Sequence, residues 1–422
     1  MSTGTRGGSD VKDAGLAAAG SARIDWAAAW APILGGIRKQ LRREGSVRDR
    51  RIGVILPVEP KTAYLAAILA DAGAEVTLAA PHAFVQDDVA AALVERGVEV
   101  LARSDSTPAQ EHGFYAEVLA RRPEVVIDDR AELIRMAHTD HPEALETLTG
   151  ASEQTTSGVV AMRAMERDGS LRIPCIAAND ARCKYLFDNR YGSGQSALAA
   201  VMDATNLLVA GKTVLIVGYG WVGKGLALRA AGAGARVVVS EVDPFAALEA
   251  YHDGHAVAPV AEACEAADIV ITATGCRDAL PLAAIERLRH GAVLANAGGI
   301  DDEFDMDGLR ARAQSSRIAR TKVEELRLDE DRAVYVVGDG RCVNLSAGEG
   351  HPVEIMDLTF AVQALALRHL LLHAGEMAPG VHLLPAEIDE GIARKRLEVL
   401  GLRIDALTDA QRDFFDSWEV PG

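Results

Sequence analysis

The side chains best suited to proton transfer lie in one segment near the middle of the chain, residues 179–192. Lys184 and Asp188 are four residues apart, and on a helical turn they would share one face. Such a pair is by itself more often an ion pair on the protein surface. A lysine held by an aspartate can also polarise or deprotonate a hydroxyl group. The segment lies between two predicted domains, and that position favours a catalytic role for the pair.

A nucleotide-binding pattern follows this segment. The apolar run Thr213–Val217 predicts a buried strand, and the spacing G-x-G-x-x-G comes next. Its glycines, Gly218, Gly220 and Gly223, let backbone N–H groups approach a pyrophosphate at a helix N-terminus. The next strand ends at Glu241, whose carboxylate can bind ribose hydroxyls and would repel a 2′-phosphate. We therefore predict NAD as the cofactor in preference to NADP; a glycine-rich turn without a ligand is the alternative.

The composition excludes several classes of partner. The 422 residues are 49% hydrophobic and carry a net charge of −17, so we expect no nucleic acid as a partner. The five cysteines form no C-x-x-C pair, which predicts reduced thiols, no metal site and a cytoplasmic location. We find no signal peptide and no run of 18 apolar residues, and so expect no membrane span.

Alternating strand and helix patterns predict an α/β protein with two doubly wound parallel-sheet domains and a small C-terminal section. We expect a flexible tail at residues 1–23 and a first domain at 24–191 that is completed by 352–378. A Rossmann domain that binds NAD should occupy 192–351, and the C-terminal section 379–422. The active site of such a chain lies in the cleft between the domains.

Near the start of the first domain, residues 25–44 predict one amphipathic helix with Trp26 and Trp30 in the core.

These motifs together resemble the adenosylhomocysteinase family over nearly the whole chain after Asp25. The matching segments stand in the family's order: residues 152–158, 179–192, 218–225, 240–244, 272–276, 340–345, 350–352 and 380–385. The ending near Trp418 resembles the shorter branch found in archaea and thermophiles.

The resemblance implies a reaction cycle without net redox change. In this family bound NAD oxidises a ribose 3′-hydroxyl, a base removes the C4′ proton, and the 5′ substituent leaves. Water then adds and the ketone is reduced again. The implied substrate is a purine nucleoside or nucleoside thioether, and the implied assembly is a homotetramer held in part by the C-terminal section.

The resemblance also assigns roles to single residues. Lys184 and Asp188 match the pair at the 3′-hydroxyl, and Asp129 matches the acid/base near C4′. The implied substrate contacts are Glu59, Lys61, Gln154, Asn179 and His351. The implied cofactor contacts are Thr155, Thr156, Ser157, Asn189, Gly218, Gly220, Trp221, Val222, Gly223, Glu241, Thr274, Gly298, Asn344 and His351.

The sequence departs from the family at the 5′ end of the substrate. Pro57 and Gly299 stand where the family has histidines, and neither side chain can transfer a proton. Gln154 replaces a glutamate that meets the 2′-hydroxyl, and residues 130–132 read Arg-Ala-Glu instead of Gly-Gly-Asp. The oxidation residues are intact, so this pattern favours an altered substrate or outcome over an inactive enzyme.

Three functions follow as hypotheses. The first is a nucleoside 5′-dehydratase, an elimination without water addition that gives a 4′,5′-unsaturated nucleoside of the antibiotic type. The second is a hydrolase of S-adenosylhomocysteine or S-inosylhomocysteine; Lys61, which only donates hydrogen bonds, suits hypoxanthine better than adenine but leaves the base open. The third is a non-catalytic regulator that binds NAD.

Overall fold

A computed structural model describes residues 8–418 of the chain. The helices are α1 Ala17–Ala29, α2 Pro32–Glu44, α3 Pro60–Asp71, α4 Asp87–Glu95, α5 Pro108–Ala120, α6 Glu132–His138, α7 Thr156–Arg167, α8 Arg182–Lys184, α9 Ser193–Thr205, α10 Trp221–Gly232, α11 Pro244–His252, α12 Val260–Ala266, α13 Leu282–Ile285, α14 Met306–Arg312, α15 Val343–Ser346, α16 Val353–His373, α17 Ala386–Val399 and α18 Asp409–Asp416. A π-helix, Tyr185–Gly192, continues α8. The strands are β1 Arg51–Ile55, β2 Glu75–Ala79, β3 Glu99–Leu101, β4 Val125–Asp128, β5 Gly150–Glu153, β6 Pro174–Ala177, β7 Thr213–Val217, β8 Arg236–Ser240, β9 Ala256–Val257, β10 Ile269–Thr272, β11 Ala292–Asn296, β12 Ser315–Arg320, β13 Val323–Arg327, β14 Ala333–Val337 and β15 Gly380–His382.

The first domain is built on a seven-stranded parallel sheet in the order β15-β6-β5-β4-β1-β2-β3. Its central strands are buried on both faces, as expected where helices cover both sides of a parallel sheet. Strand β4 lies beside β1 and β5, so the loops after these three strands meet at one edge. Ligands of such folds bind at that edge.

The second domain is built on an eight-stranded sheet in the order β12-β13-β14-β11-β10-β7-β8-β9. The strands from β14 to β9 run parallel, as predicted for a Rossmann domain, while β12 and β13 join antiparallel at one edge. The predicted class of two parallel-sheet α/β domains is confirmed, with this antiparallel edge as an addition.

Helix α16 returns the chain to the first domain and packs on its sheet, with most of its residues buried. The span Val353–Glu376 is long and apolar enough to cross a membrane, but 67% of its most apolar window is buried inside the protein. We therefore interpret it as a core helix.

Three features of the N-terminal region differ from the predictions. Helix α1 begins at Ala17, so part of the predicted tail is helical; residues 1–7 lie outside the described part. The single helix predicted for 25–44 is two helices, because Pro32 starts a second one at a position where proline favours helix initiation. Trp26 and Trp30 are 65% and 48% exposed, since α1 turns Ile24 and Ala27 inward instead, and their predicted place in the core is wrong.

The C-terminal section also starts differently from the prediction. Strand β15 pairs with β6, so residues 380–382 belong to the first sheet. Helix α17 packs against α16 and α8, close to the predicted proton-transfer segment. Residues 401–418 lie at the surface, and α18 buries none of its side chains.

Candidate active site

A cleft of about 600 Å³ lies between the two domains, at the carboxyl edges of both sheets. The sequence-predicted residues that line it are Glu59, Lys61, Asp129, Gln154, Thr155, Thr156, Ser157, Asn179, Lys184, Asp188, Asn189, Gly220, Trp221, Val222, Thr274, Gly298, Asn344 and His351. Gly218, Gly223 and Glu241 do not line the cleft; they form the turn after β7 and the end of β8 next to it.

The π-helix changes the geometry expected for the lysine. Lys184 Nζ is 3.5 Å from Asp188 Oδ1, which is the ion pair expected four residues along. Lys184 Nζ is closer to Asn189 and donates to its Oδ1 at 2.5 Å. The wider turn of the π-helix places the fifth residue along the chain on the same face as Lys184. Asn189 in turn donates to Asn179 Oδ1 at 3.2 Å. The ammonium is thereby held at one position in the buried floor of the cleft.

The side chain of Asp188 is 1% exposed and is contacted by Lys184, Thr359 and His351. Thr359 of α16 donates to Oδ2 at 2.6 Å, and His351 Nδ1 lies 2.8 Å from Oδ1. Ser193 Oγ lies 3.1 Å from the other ring nitrogen of His351. Burial by itself raises the pKa of Asp188, but the nearby Lys184 and His351 outweigh it and hold the pKa below its usual range.

Asp129 follows β4 and is also buried, with Oδ1 free of hydrogen-bond partners among the described residues. Burial raises its pKa, and the positive charges of Arg130 and Lys184 oppose that rise. The next turn is fixed by Glu153 at the end of β5, whose carboxylate accepts the N–H groups of Arg130 and Ala131 at 3.1 and 2.9 Å. A carboxyl group with a raised pKa is suited to accept a proton and then return it.

Two further contacts shape the substrate side of the cleft. Gln154 accepts from Gln363 of α16 at 2.7 Å, which fixes the amide that replaces the family's glutamate. Glu59 caps α3, and its Oε2 is 2.5 Å from Lys61 Nζ. Lys61 also donates to the Glu349 carbonyl at 2.7 Å. Both side chains of the pair are nearly buried, so it is not a solvent-exposed ion pair.

Pro57 and Gly299 line the same cleft. The loop that carries Gly299 is held by Asn296, which accepts from the Gly298 N–H at 2.7 Å and donates to the Ile300 carbonyl at 2.6 Å. A Cβ at position 299 would make only an ordinary contact, 3.5 Å from Ser157 Oγ. The loop therefore has space for a side chain at this position, and glycine leaves the cleft without one.

The turn after β7 fits a dinucleotide. A Cβ at Gly223 would lie 2.0 Å from the Gly218 carbonyl oxygen, so only glycine allows helix α10 to start this close to the strand. Gly220 faces open space at the cleft, where a pyrophosphate can approach. Glu241 accepts the Tyr219 N–H at 2.6 Å beside this turn, and Val242 and Asp243 follow with no positive charge for a 2′-phosphate.

Several residues of the site escaped the sequence analysis. Thr359 and Gln363 lie on α16, far along the chain from the residues they hold. Glu303, which is fully buried, accepts the Thr274 and Gly275 N–H groups at 2.9 and 2.6 Å and so fixes the loop after β10. A buried acid in a loop leaves no periodic signal, and contacts from a distant helix leave none either.

The fold and the cleft define a two-domain enzyme of the dinucleotide-binding class. Residues 9–140 match the S-adenosyl-L-homocysteine hydrolase family, and residues 189–350 match the NAD-binding domain of the same family. The chain therefore belongs to the S-adenosyl-L-homocysteine hydrolase family, and its cofactor is NAD.

Curated relatives align over almost the entire chain. S-inosyl-L-homocysteine hydrolase of Methanopyrus kandleri is 45% identical over 411 residues, covering 97% of each chain. Adenosylhomocysteinase of Thermotoga maritima is 46% identical over 401 residues, covering 95% of this chain and 99% of the relative. Adenosylhomocysteinase of Pyrococcus abyssi is 44% identical over 410 residues, covering 97% of each chain. The predicted similarity to an archaeal and thermophile branch is confirmed.

Proposed function

We propose that this NAD-dependent family member oxidises the 3′-hydroxyl of a purine nucleoside in the cleft, removes its C4′ proton and expels its 5′ substituent. The observation that carries the proposal is the buried cluster of Lys184, Asp188 and Asn189 facing the glycine-rich turn across one cleft. Bound NAD supplies the reversible oxidation that makes the C4′ proton acidic.

The chain's own residues divide the remaining work. Lys184 Nζ, fixed by Asp188 and Asn189, meets the 3′-hydroxyl and handles its proton. Asp129 takes the proton from C4′, because its buried carboxylate has one oxygen without a partner in the described part of the chain. Closure of the two domains around the substrate excludes water from both steps.

The leaving group has two candidates, and the relatives favour a homocysteine thioether. They are named as hydrolases of S-inosyl-L-homocysteine or as adenosylhomocysteinases at 44–46% identity. A thiolate leaves without help from an acid, since thiols ionise near pH 8.5. On this proposal the enzyme completes a hydrolysis, with water adding at C5′ after the thiol has left. The comparisons favour this hydrolase over the dehydratase that the sequence suggested first.

The second candidate is loss of water from a 5′-hydroxyl, and the observation in its favour is the absence of proton-transfer side chains at Pro57 and Gly299. In this reaction Asp129 takes the C4′ proton, the C5′–O bond breaks, and the same proton leaves with the oxygen as water. Reduction of the 3′-ketone then leaves a 4′,5′-unsaturated nucleoside.

One assay separates these functions. We would give the holoenzyme S-adenosylhomocysteine, S-inosylhomocysteine, adenosine and inosine, and measure free thiol, product mass and NADH absorbance. Thiol release supports the hydrolase, loss of one water from a nucleoside supports the dehydratase, and the absence of any NADH band with every substrate contradicts both and leaves a non-catalytic NAD-binding regulator. Comparing the 6-amino and 6-oxo substrates also tests the preference of Lys61.

A matched variant sharpens this assay. Gly299→His restores the family's residue at a position with room for a side chain. If water addition is missing in the wild type, this variant should convert part of the unsaturated product to the hydrated nucleoside. A wild-type enzyme that already hydrolyses the thioether at full rate would gain nothing from it.

We also propose that copies of this chain assemble into a homotetramer through the C-terminal section. Its apolar side chains are largely uncovered, with Leu402, Ile404, Phe414 and Phe415 between 52% and 72% exposed. Sedimentation of the full chain should show a tetramer, and sedimentation of a chain ending at residue 400 should show smaller species. A full chain that sediments only as a monomer contradicts the assembly.

A further inference from the structure

The turn after Asp129 holds two residues in a backbone conformation that glycine favours. Arg130 has φ +60° and Ala131 has φ +55°, both in the left-handed region. The family pattern has two glycines here, which adopt this region without strain. The hydrogen bonds from both N–H groups to Glu153 hold the turn in place. An arginine at a strained position is a reason to examine what its side chain contacts.

The Arg130 side chain reaches across the domain boundary. Its guanidinium donates to Asp301 Oδ1 of the NAD-binding domain at 3.3 Å. Its Cζ lies 5.8 Å from the centre of the Phe84 ring, which supports the chain from the other side. Asp301 lies two residues after Gly299. Arg130, which departs from the family pattern, is thus paired next to Asp129 with a residue two positions after Gly299, which departs from it as well.

Asp129 lies between the substrate cleft and this ion pair. It lines the cleft of about 600 Å³ and also a second cavity of about 120 Å³, which Arg130 and Asp301 line as well. The charged or titratable groups that surround it come from several elements: Arg130, Lys184, Asp128, Glu132, Glu153, Asp301, Tyr115, Glu111, His82, Arg341 and Cys342. Burial has the largest effect on the pKa of Asp129 and raises it, and the positive charge of Arg130 has the second largest effect and lowers it.

We propose that Arg130 is a positioning residue that keeps the Asp129 carboxylate charged, and that pairing with Asp301 of the opposite domain weakens this effect when the domains close. This inference rests on the proposed function, because it takes Asp129 as the base for the C4′ proton.

The two partners act on Asp129 in opposite directions. The guanidinium attracts a carboxylate charge and so favours ionised Asp129 before substrate is deprotonated. Asp301 reaches Arg130 only across the domain boundary, and its negative charge weakens that attraction. Closure therefore makes Asp129 a stronger proton acceptor at the time the base is needed, while Arg130 keeps it from being protonated by solvent.

The test compares Arg130→Gly with Asp301→Asn in the NAD-loaded full chain. The glycine variant suits the left-handed backbone and removes the positive charge, so the pKa of Asp129 should rise. The asparagine variant keeps Arg130 and removes the negative charge, so the same pKa should fall. Arg130→Lys keeps the positive charge but lacks the planar guanidinium group, and it should leave the pKa of Asp129 near its wild-type value.

Two readouts follow Asp129. The first is the infrared carboxylic-acid band of substrate-free holoenzyme against pH, assigned by its loss in Asp129→Asn. The second is the pH profile of C4′ hydrogen exchange in deuterated water. We expect the acidic midpoint to move up in Arg130→Gly and down in Asp301→Asn, each by about one pH unit, which is roughly tenfold in the ionised fraction below the midpoint.

Each outcome decides the inference. Opposite shifts in the two variants support it, since an ion pair that only joins the domains, without acting on the charge of Asp129, would weaken activity in both without moving the midpoints apart. Shifts in the same direction, or unmoved midpoints, overturn it. If Arg130→Gly fails to fold, Asp301→Asn and Arg130→Lys still decide, because an unmoved midpoint in Asp301→Asn also overturns the inference. If Asp129→Asn exchanges the C4′ hydrogen at the wild-type rate, Asp129 is not the base and the proposed function fails. The infrared band reports the charge of Asp129 independently, so this failure is distinguishable from failure of the inference about Arg130 and Asp301.

Discussion

Thr359 offers a sharp test of how the proton-transfer cluster is held. Its hydroxyl donates to Asp188 Oδ2 at 2.6 Å inside the protein, where water cannot replace it. Thr359→Val has nearly the same shape and removes only this donor. A hydrogen bond to a charged group contributes about 1.5–3 kcal/mol. If that loss appears in the oxidation step, NADH formation should slow by roughly 10- to 150-fold, at about 1.4 kcal/mol for each tenfold.

The assay is stopped-flow absorbance of NADH after nucleoside is mixed with holoenzyme. Thr359→Ser is the control, because it keeps the hydroxyl and should stay close to wild type. Both variants should still contain NAD, since Thr359 contacts Asp188 and does not line the dinucleotide turn. A Thr359→Val enzyme that forms NADH within about twofold of wild type would show that the position of Asp188 does not depend on this donor, and the reasoning would be refuted.

Three further predictions follow from the same geometry. The purified wild-type protein should release stoichiometric NAD on denaturation. The Glu241→Ala variant should release much less, because it lacks the carboxylate beside the glycine-rich turn. Equal nucleotide content in the two proteins would contradict this. Asp129→Asn should accumulate bound NADH with nucleoside but fail to exchange the C4′ hydrogen, which mass spectrometry in deuterated water can check. Burial raises the pKa of Asp128 to about 7, above its unfolded value of about 3.9, so its contribution to stability is present below about pH 3.9 and is lost as the pH rises through 7. Asp128→Asn should therefore flatten the pH dependence of the free energy of unfolding, measured with denaturant, between about pH 4 and 7. An unchanged slope would oppose this.

The elements of this fold were predictable where the pattern is local. The apolar run Thr213–Val217, for example, forms a strand at the predicted residues. The N-terminal helix was wrong for a local reason as well, since Pro32 marks a helix start that hydrophobic spacing alone ignores. Trp26 was misplaced because a long aromatic side chain does not by itself show which face of a helix is covered.

The site was predictable in its residue types and less so in its geometry. The pairing of Lys184 with Asp188 follows from ordinary helical spacing, but the closer contact with Asn189 depends on a π-helix, for which the sequence has no reliable signature. The contact from Thr359 depends on a helix that returns to the first domain after the whole second domain. The Arg130–Asp301 pair crosses domains, and spacing along the chain says nothing about it.

The interrupted first domain has a consequence for how the chain folds as the ribosome makes it. Its N-terminal part emerges first, but the helix Val353–His373 and the strand Gly380–His382, which cover and extend its sheet, are synthesised last. The NAD-binding domain lies between them as one continuous stretch and can fold as soon as it has emerged. We infer that folding runs from the second domain to the first, and that chains cut short before Val353 leave an apolar sheet face open to aggregation.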